Sequence, residues 1–187
     1  FGGGSVLHLR AKTEPTPNYP CPNYPNYPNP LFIQGGKNMY KLAAIDLDGT
    51  MLNQYGIVTQ RTKQAIERAQ QRGIEVIIAS GRPMDSIKAI AEEIKSEKYF
   101  ISGNGAIIYD IQNDEIIYEN TLKKQKTLDI IKICEENSIY YNIYTEKEII
   151  AKNLQCNVLY YHKENLNKEE KNKTHINIVE NIYDYIV

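Results

Sequence analysis

Between Leu42 and Ser102 the chain alternates short apolar runs with amphipathic stretches, and this alternation constrains its fold more than any other feature. Leu42 to Ile45, Glu75 to Ala79 and Tyr99 to Ser102 are strand-sized. Between the first two, a helix is expected from about Gln60, capped by Thr59, with Ala65, Ile66 and Ala69 as its apolar face and Gly73 as its stop. Between the second and third, Pro83 suits a helix start, and Ile87, Ile90, Ala91 and Ile94 recur at i, i+3, i+4 and i+7. Strands separated by helices imply crossovers and a parallel sheet.

Composition changes at Gly105, after which none of the 11 glycines falls while Ile, Lys, Asn, Glu and Tyr become dense. A boundary is expected there. Beyond it, Ala106 to Asp110 and Glu115 to Glu119 read as a hairpin, Leu128, Ile131 and Cys134 line a helix from about Leu122 to Asn137, and Ile139 to Tyr144 with Glu148 to Ala151 read as a second hairpin. The expected fold class is therefore α/β, a partial Rossmann-like parallel sheet over 39–105 with an inserted α+β unit over 106–187. All but one of the 8 prolines fall between Pro15 and Pro30, in a near-repeat of Asn-Tyr-Pro. Residues 1–38 are accordingly read as a disordered tail or non-native extension with no core to bury, Met39 being a plausible native start.

A net charge of -1 offers no electrostatic footprint for nucleic acid or a membrane surface. The apolar runs fall far short of the roughly 20 residues that span a bilayer. Cys21, Cys134 and Cys156 have neither disulfide nor zinc-site spacing. A small ligand and a cytoplasmic location are expected.

Asp46-Leu47-Asp48-Gly49-Thr50 directly follows the first strand. Residues i and i+2 of extended chain share a side, so two carboxylates converge at the strand's C-terminal end, where open α/β sheets bind ligands. One can attack and the other can handle protons. Two acids so close repel each other unless a cation intervenes, which implies a hard oxygen-binding ion such as Mg²⁺. An ordinary Asp-Gly turn closing a strand is the competing reading. Ser80-Gly81-Arg82-Pro83 ends the second strand, so the Ser80 hydroxyl and backbone N–H groups can hold phosphate oxygens, although Ser80 alone would read as a helix cap. Asn104-Gly105, ending the third strand, is a pocket-rim candidate or a turn. His8, His162 and His175 lack ligand spacing, and Lys163 to Lys173 reads as a solvated face.

These three segments, in this order and on these strand ends, resemble the haloacid dehalogenase-like phosphatases, specifically the Cof-type branch with a large α/β cap (class IIB), over Met39 to Val187. The resemblance implies Mg²⁺-dependent hydrolysis of small phosphorylated metabolites, phosphomonoesters such as sugar phosphates, through an aspartyl-phosphate. It makes Asp46 the nucleophile and Asp48 the acid/base, with Mg²⁺ on the Asp46 carboxylate and the Asp48 backbone carbonyl. Phosphate binding falls to Leu47, Thr50, Ser80 and Gly81, and the pocket rim to Arg82, Asn104 and Gly105. The family pattern continues with a Lys and an acidic motif after the cap; no such acidic motif appears after Gly105, and Lys171 and Lys173, set in a polar stretch, are not assigned to the Lys role, so the chain is expected to be truncated and, as given, inactive. Two rivals stay open: a non-enzymatic receiver-like phosphoacceptor, disfavoured by about 80 residues of added hairpins and helix, and a related phosphotransferase such as a sugar phosphomutase.

Overall fold

The computed structural model describes residues 6–9 and 40–186. β1 (Val6–Leu9) lies apart in sequence from the rest. β2 (Leu42–Ile45), α1 (Gln60–Gln71), β3 (Glu75–Ala79), α2 (Met84–Glu93) and β4 (Tyr99–Ser102) then alternate, and β2, β3 and β4 pair in parallel. The Thr59 hydroxyl accepts the Thr62 N–H at 3.2 Å and caps α1. At the other end Gly73 takes φ 76 while the Ile74 N–H reaches the Ala69 carbonyl at 3.1 Å, a left-handed stop that favours glycine. Val76, Ile77 and Ile78 are all buried, as expected of a strand covered on both faces. Ile66, Ile87, Ala91 and Ile94 of the helical segments pack with Val76, Ile78 and Phe100 into one core. Burying each of the Ile, Val and Phe side chains is worth about 1.5 to 3 kcal/mol.

The sheet does not end at Gly105. β5 (Ile107–Asp110) and β6 (Glu115–Glu119) form the expected hairpin, but β5 pairs antiparallel with β4, so the hairpin extends the first sheet to the order β2-β3-β4-β5-β6 instead of opening the second unit. Gly103, Asn104 and Gly105 all have positive φ, which lets a single tight turn reverse the chain beside β4. Tyr109 then stacks on Phe100, ring centroids 5.0 Å apart, and is buried there. The change in composition marks the turn and not the edge of the sheet.

The second sheet has the order β1-β7-β8-β9, from β7 (Tyr141–Tyr144), β8 (Ile149–Ala151) and β9 (Ile176–Ile178), with α3 (Lys124–Glu136) and α4 (Cys156–Asn165). Its strands alternate faces with period two. Tyr141, Ile143 and Ile150 pack on Ile131 and Cys134 of α3, whereas Tyr144, Ile149 and Ala151 pack on Val158 and Tyr161 of α4. Helices on both faces explain why all of β7 is buried. Val6–Leu9, set aside in the sequence reading, pairs antiparallel with β7. The proline-rich stretch between Pro15 and Pro30 lies outside the described residues.

Candidate active site

Register brings the three segments to one edge of the first sheet. Ile45 pairs with Ile78 and Ala79 with Ile101, so Asp46 and Ser80 emerge just past the C-terminal ends of β2 and β3, beside the Gly103–Gly105 turn that follows β4. Leu47 is fully buried while Asp46 and Asp48, on either side, are exposed. Burial of Leu47, Met51, Leu52 and Val58 anchors the loop that carries both acids. Within that loop the Met51 N–H donates to the Asp46 carbonyl at 3.1 Å and the Leu52 N–H to the Leu47 carbonyl at 2.9 Å. Gly49 has φ 75 with open space around it, so a left-handed backbone, and no crowding, is what favours glycine there. The Asp46 Oδ1 accepts the Leu47 N–H at 2.8 Å; thus the amide expected to meet a phosphoryl group lies against the carboxylate here.

The Asp48 carboxylate is held in a fork. Arg82 Nε donates to its Oδ2 at 2.9 Å and Nη2 to its Oδ1 at 2.8 Å. The same guanidinium donates from Nη1 to Ser86 Oγ at 3.0 Å and to Glu164 Oε2 at 3.1 Å, and from Nη2 to Glu164 Oε1 at 3.1 Å and the Tyr160 hydroxyl at 2.9 Å. Burial works against the Arg82 charge, but the hydrogen bonds and attraction of Asp48 and Glu164 outweigh it and raise its pKa. Burial likewise opposes the Glu164 charge, yet Tyr160, Arg82 and Lys168 hold its carboxyl below the usual range. Tyr160 and Glu164 were not found from the sequence. Their helix lies in a stretch without strong apolar periodicity, and the only hint was Val158 and Tyr161 at i and i+3.

The Ser80 and Asn104 segments interlock. The Asn104 N–H donates to the Ser80 carbonyl at 3.2 Å, the Gly103 N–H to the Arg82 carbonyl at 3.1 Å, and the Ser102 hydroxyl to the same carbonyl at 3.0 Å. Ser80 is buried, and its hydroxyl accepts the Arg82 N–H at 3.3 Å. Among the described residues no hydrogen bond joins the Asp46 or Thr50 side chain to Ser80 or Gly81. Lys171 and Lys173 form exposed ion pairs with Glu169 and Glu170.

The donor set tests the implied cation. The second oxygen of Asp46 has no hydrogen-bond partner among the described residues and is a hard ligand of the kind Mg²⁺ takes. Both side-chain oxygens of Asp48 are occupied by Arg82, so Asp48 fits such an ion through its backbone carbonyl. The described residues contain no cluster of three or more His, Cys, Asp or Glu that could hold a metal.

A strand-end pair of acids, an interlocked Ser-Gly-Arg turn and a second α/β layer define a class, and the comparisons agree. Residues 43–187 match the model of the haloacid dehalogenase-like hydrolases, and the chain belongs to that family. It is similar to phosphatase YwpJ of Bacillus subtilis, 36% identical over 109 residues, covering 58% of this chain and 38% of YwpJ. It is also similar to the 5-amino-6-(5-phospho-D-ribitylamino)uracil phosphatase YcsE of the same organism, 37% identical over 70 residues, covering 37% of this chain and 28% of YcsE. A haloacid dehalogenase-like hydrolase from Bacteroides thetaiotaomicron superposes with a TM-score of 0.64 at 28% identity, covering 79% of this chain and 55% of that one. The fold is shared with the subclass IIB sugar phosphatase BT4131, TM-score 0.58 at 21% identity, over 74% of this chain and 52% of that one. The chain thus spans about half the length of these solved relatives and less of the others. No helix among the described residues is long and apolar enough to cross a membrane.

Proposed function

We propose that the enzyme carrying this chain hydrolyses small phosphomonoesters, of which sugar phosphates are one kind, with Mg²⁺ and an aspartyl-phosphate intermediate. The observation that carries this reading is the pair of exposed carboxylates flanking buried Leu47 at the ligand-binding edge of the sheet. The second sheet with α3 and α4 is the cap, and the core runs through β6. Its phosphatase relatives, one acting on a phosphorylated ribitylamino compound, support the substrate class.

In the first step an Asp46 oxygen attacks phosphorus, the bond from phosphorus to the ester oxygen breaks, and Asp48, carrying a proton on a lone pair that the Arg82 fork leaves free, gives that oxygen the proton. In the second, Asp48 takes a proton from water as the water attacks the phosphoryl group, releasing phosphate and restoring Asp46. Ser80 and the Gly81 amide would hold phosphoryl oxygens. Mg²⁺ on the Asp46 carboxylate and Asp48 carbonyl would offset the repulsion between Asp46 and the phosphate dianion.

The test is acid-quench trapping of labelled phosphate on a complete enzyme containing this sequence, combined with turnover of an aryl phosphate. Asp46→Asn should lose both the trapped label and turnover by several orders of magnitude while unfolding at the usual temperature. An active Asp46→Asn variant would sink the assignment.

A further inference from the structure

The cap meets Arg82, beside the catalytic loop, through α4, and meets α2 where His175 Nδ1 lies 2.9 Å from Asp85 Oδ2. Tyr160 and Glu164 stand four residues apart on α4, one turn above the other, and both meet the Arg82 guanidinium. Lys168, just beyond the end of α4, donates to Glu164 Oε2 at 3.1 Å. On the core side, a Cβ added to Gly56 would lie 3.6 Å from Glu164 Oε1 and 3.7 Å from the Tyr160 hydroxyl, so the loop after Asp48 closes against the same two residues. Phosphoryl transfer, as derived above, uses none of these cap side chains.

We propose that Tyr160 and Glu164 are positioning residues for the general acid/base, forming a latch that orients Asp48 through Arg82. The proposal rests on the reading of Asp48 as that acid/base. The Asp48 side chain is 57% exposed, so packing does not fix its rotamer; the Arg82 side chain is 3% exposed and is the rigid partner. A guanidinium is planar with five N–H donors in a fixed fork. Because every N–H of Arg82 is engaged, Glu164 on one edge sets the angle at which the other edge is offered to Asp48. Undocking of α4 removes the Glu164 and Tyr160 acceptors together and leaves the guanidinium on Ser86 and Asp48 alone. The orientation of the acid/base thereby depends on whether the cap is docked.

The distinguishing readout is leaving-group dependence. An alkoxide leaves only with a proton, whereas a dinitrophenolate leaves without one, so only the former requires a well-placed acid. In the complete enzyme, Glu164→Gln is expected to lower kcat/KM for an alkyl phosphate about 10²-fold and that for dinitrophenyl phosphate by less than about 3-fold. Tyr160→Phe should show the same pattern with a smaller loss. An equal fall on both esters, or none on either, overturns the positioning role while leaving the phosphatase reading intact. A parent enzyme that cleaves neither ester overturns that reading and the positioning role with it. Hydrogen exchange gives a measure that needs no turnover: in Glu164→Gln, amides of residues 53–57 and 82–86 should exchange faster while those of α1 and β3 keep their rates. Unchanged exchange at both segments overturns the latch.

Discussion

Asn104 stands so close to Gly81 that a Cβ on residue 81 would lie 2.6 Å from the Asn104 Oδ1. The contact joins the turn after β3 to the turn after β4, where Asn104 holds a left-handed backbone, φ 58 and ψ 36. Asn tolerates that region better than other residues with a side chain, and glycine tolerates it best.

Asn104→Ala should therefore destabilise the fold by about 1 kcal/mol more than Asn104→Gly, as read by urea unfolding. The reverse order would show that backbone conformation is not what Asn104 contributes. Because the atom facing Gly81 is the tip of an exposed side chain, Gly81→Ala should be relieved by removing it. In a double-mutant cycle the two alanines should couple by roughly 0.5 to 2 kcal/mol.

Arg82→Lys should cost about 1 to 3 kcal/mol of stability, because an ammonium cannot fork onto Asp48 and Glu164 at once and leaves the part-buried Glu164 and the buried Ser86 short of a donor. Chemical unfolding of the two proteins under identical conditions measures it. A loss below about 0.5 kcal/mol, the level of a surface substitution, would mean that the buried network contributes little.

Glu135 supplies a pH-dependent contribution. It binds Lys152, accepts from the Tyr141 and Tyr183 hydroxyls at 2.8 Å each, and is held down to about 2, chiefly by Lys152 and then by the two tyrosines. A carboxyl depressed in the folded state stabilises above its unfolded pKa, 4.5, and that stabilisation disappears as the pH falls from there to about 2. Because Glu135 and Lys152 are both open to solvent, which screens the pair, Glu135→Gln should be less stable at neutral pH by only about 0.5 to 1 kcal/mol. The gap should close through that acid window. A gap that stays constant down to pH 2 would assign the loss to packing.

Chelation should abolish hydrolysis by the complete enzyme, and Mg²⁺ should restore it, because a carboxylate and a phosphate dianion repel each other without a cation between them. Undiminished turnover in excess chelator, under conditions where added Mg²⁺ changes nothing, would remove the metal from the mechanism.

Much of the first sheet was legible because its signals are local. The Thr59 cap, the Gly73 stop and the apolar spacing of Ile87, Ala91 and Ile94 each act within a few residues, and the structure uses all of them as the periodicity demands. The positions of Asp46, Ser80 and Asn104 at strand ends follow from the same local pattern, since strand boundaries were readable and parallel pairing aligns them. α4 and β9 escaped. The α4 face combines Val158 and Tyr161 with polar neighbours, and three-residue β9 is defined only by its pairing with β8.

Sequence alone settled the alternation of elements, the strand-end placement of the acids and the family they resemble, because hydrophobic period and turn chemistry are properties of short stretches. Tertiary structure decided which sheet the β5–β6 hairpin joins, for a hairpin has the same internal pattern whichever neighbour covers its edge. It also decided what holds Asp48. Arg82 lies 34 residues from Asp48 and 82 from Glu164, and an isolated charge in a sequence carries no mark of its partner. That pairing is selected only when burial removes water as the alternative and leaves the guanidinium to find acceptors on two different layers.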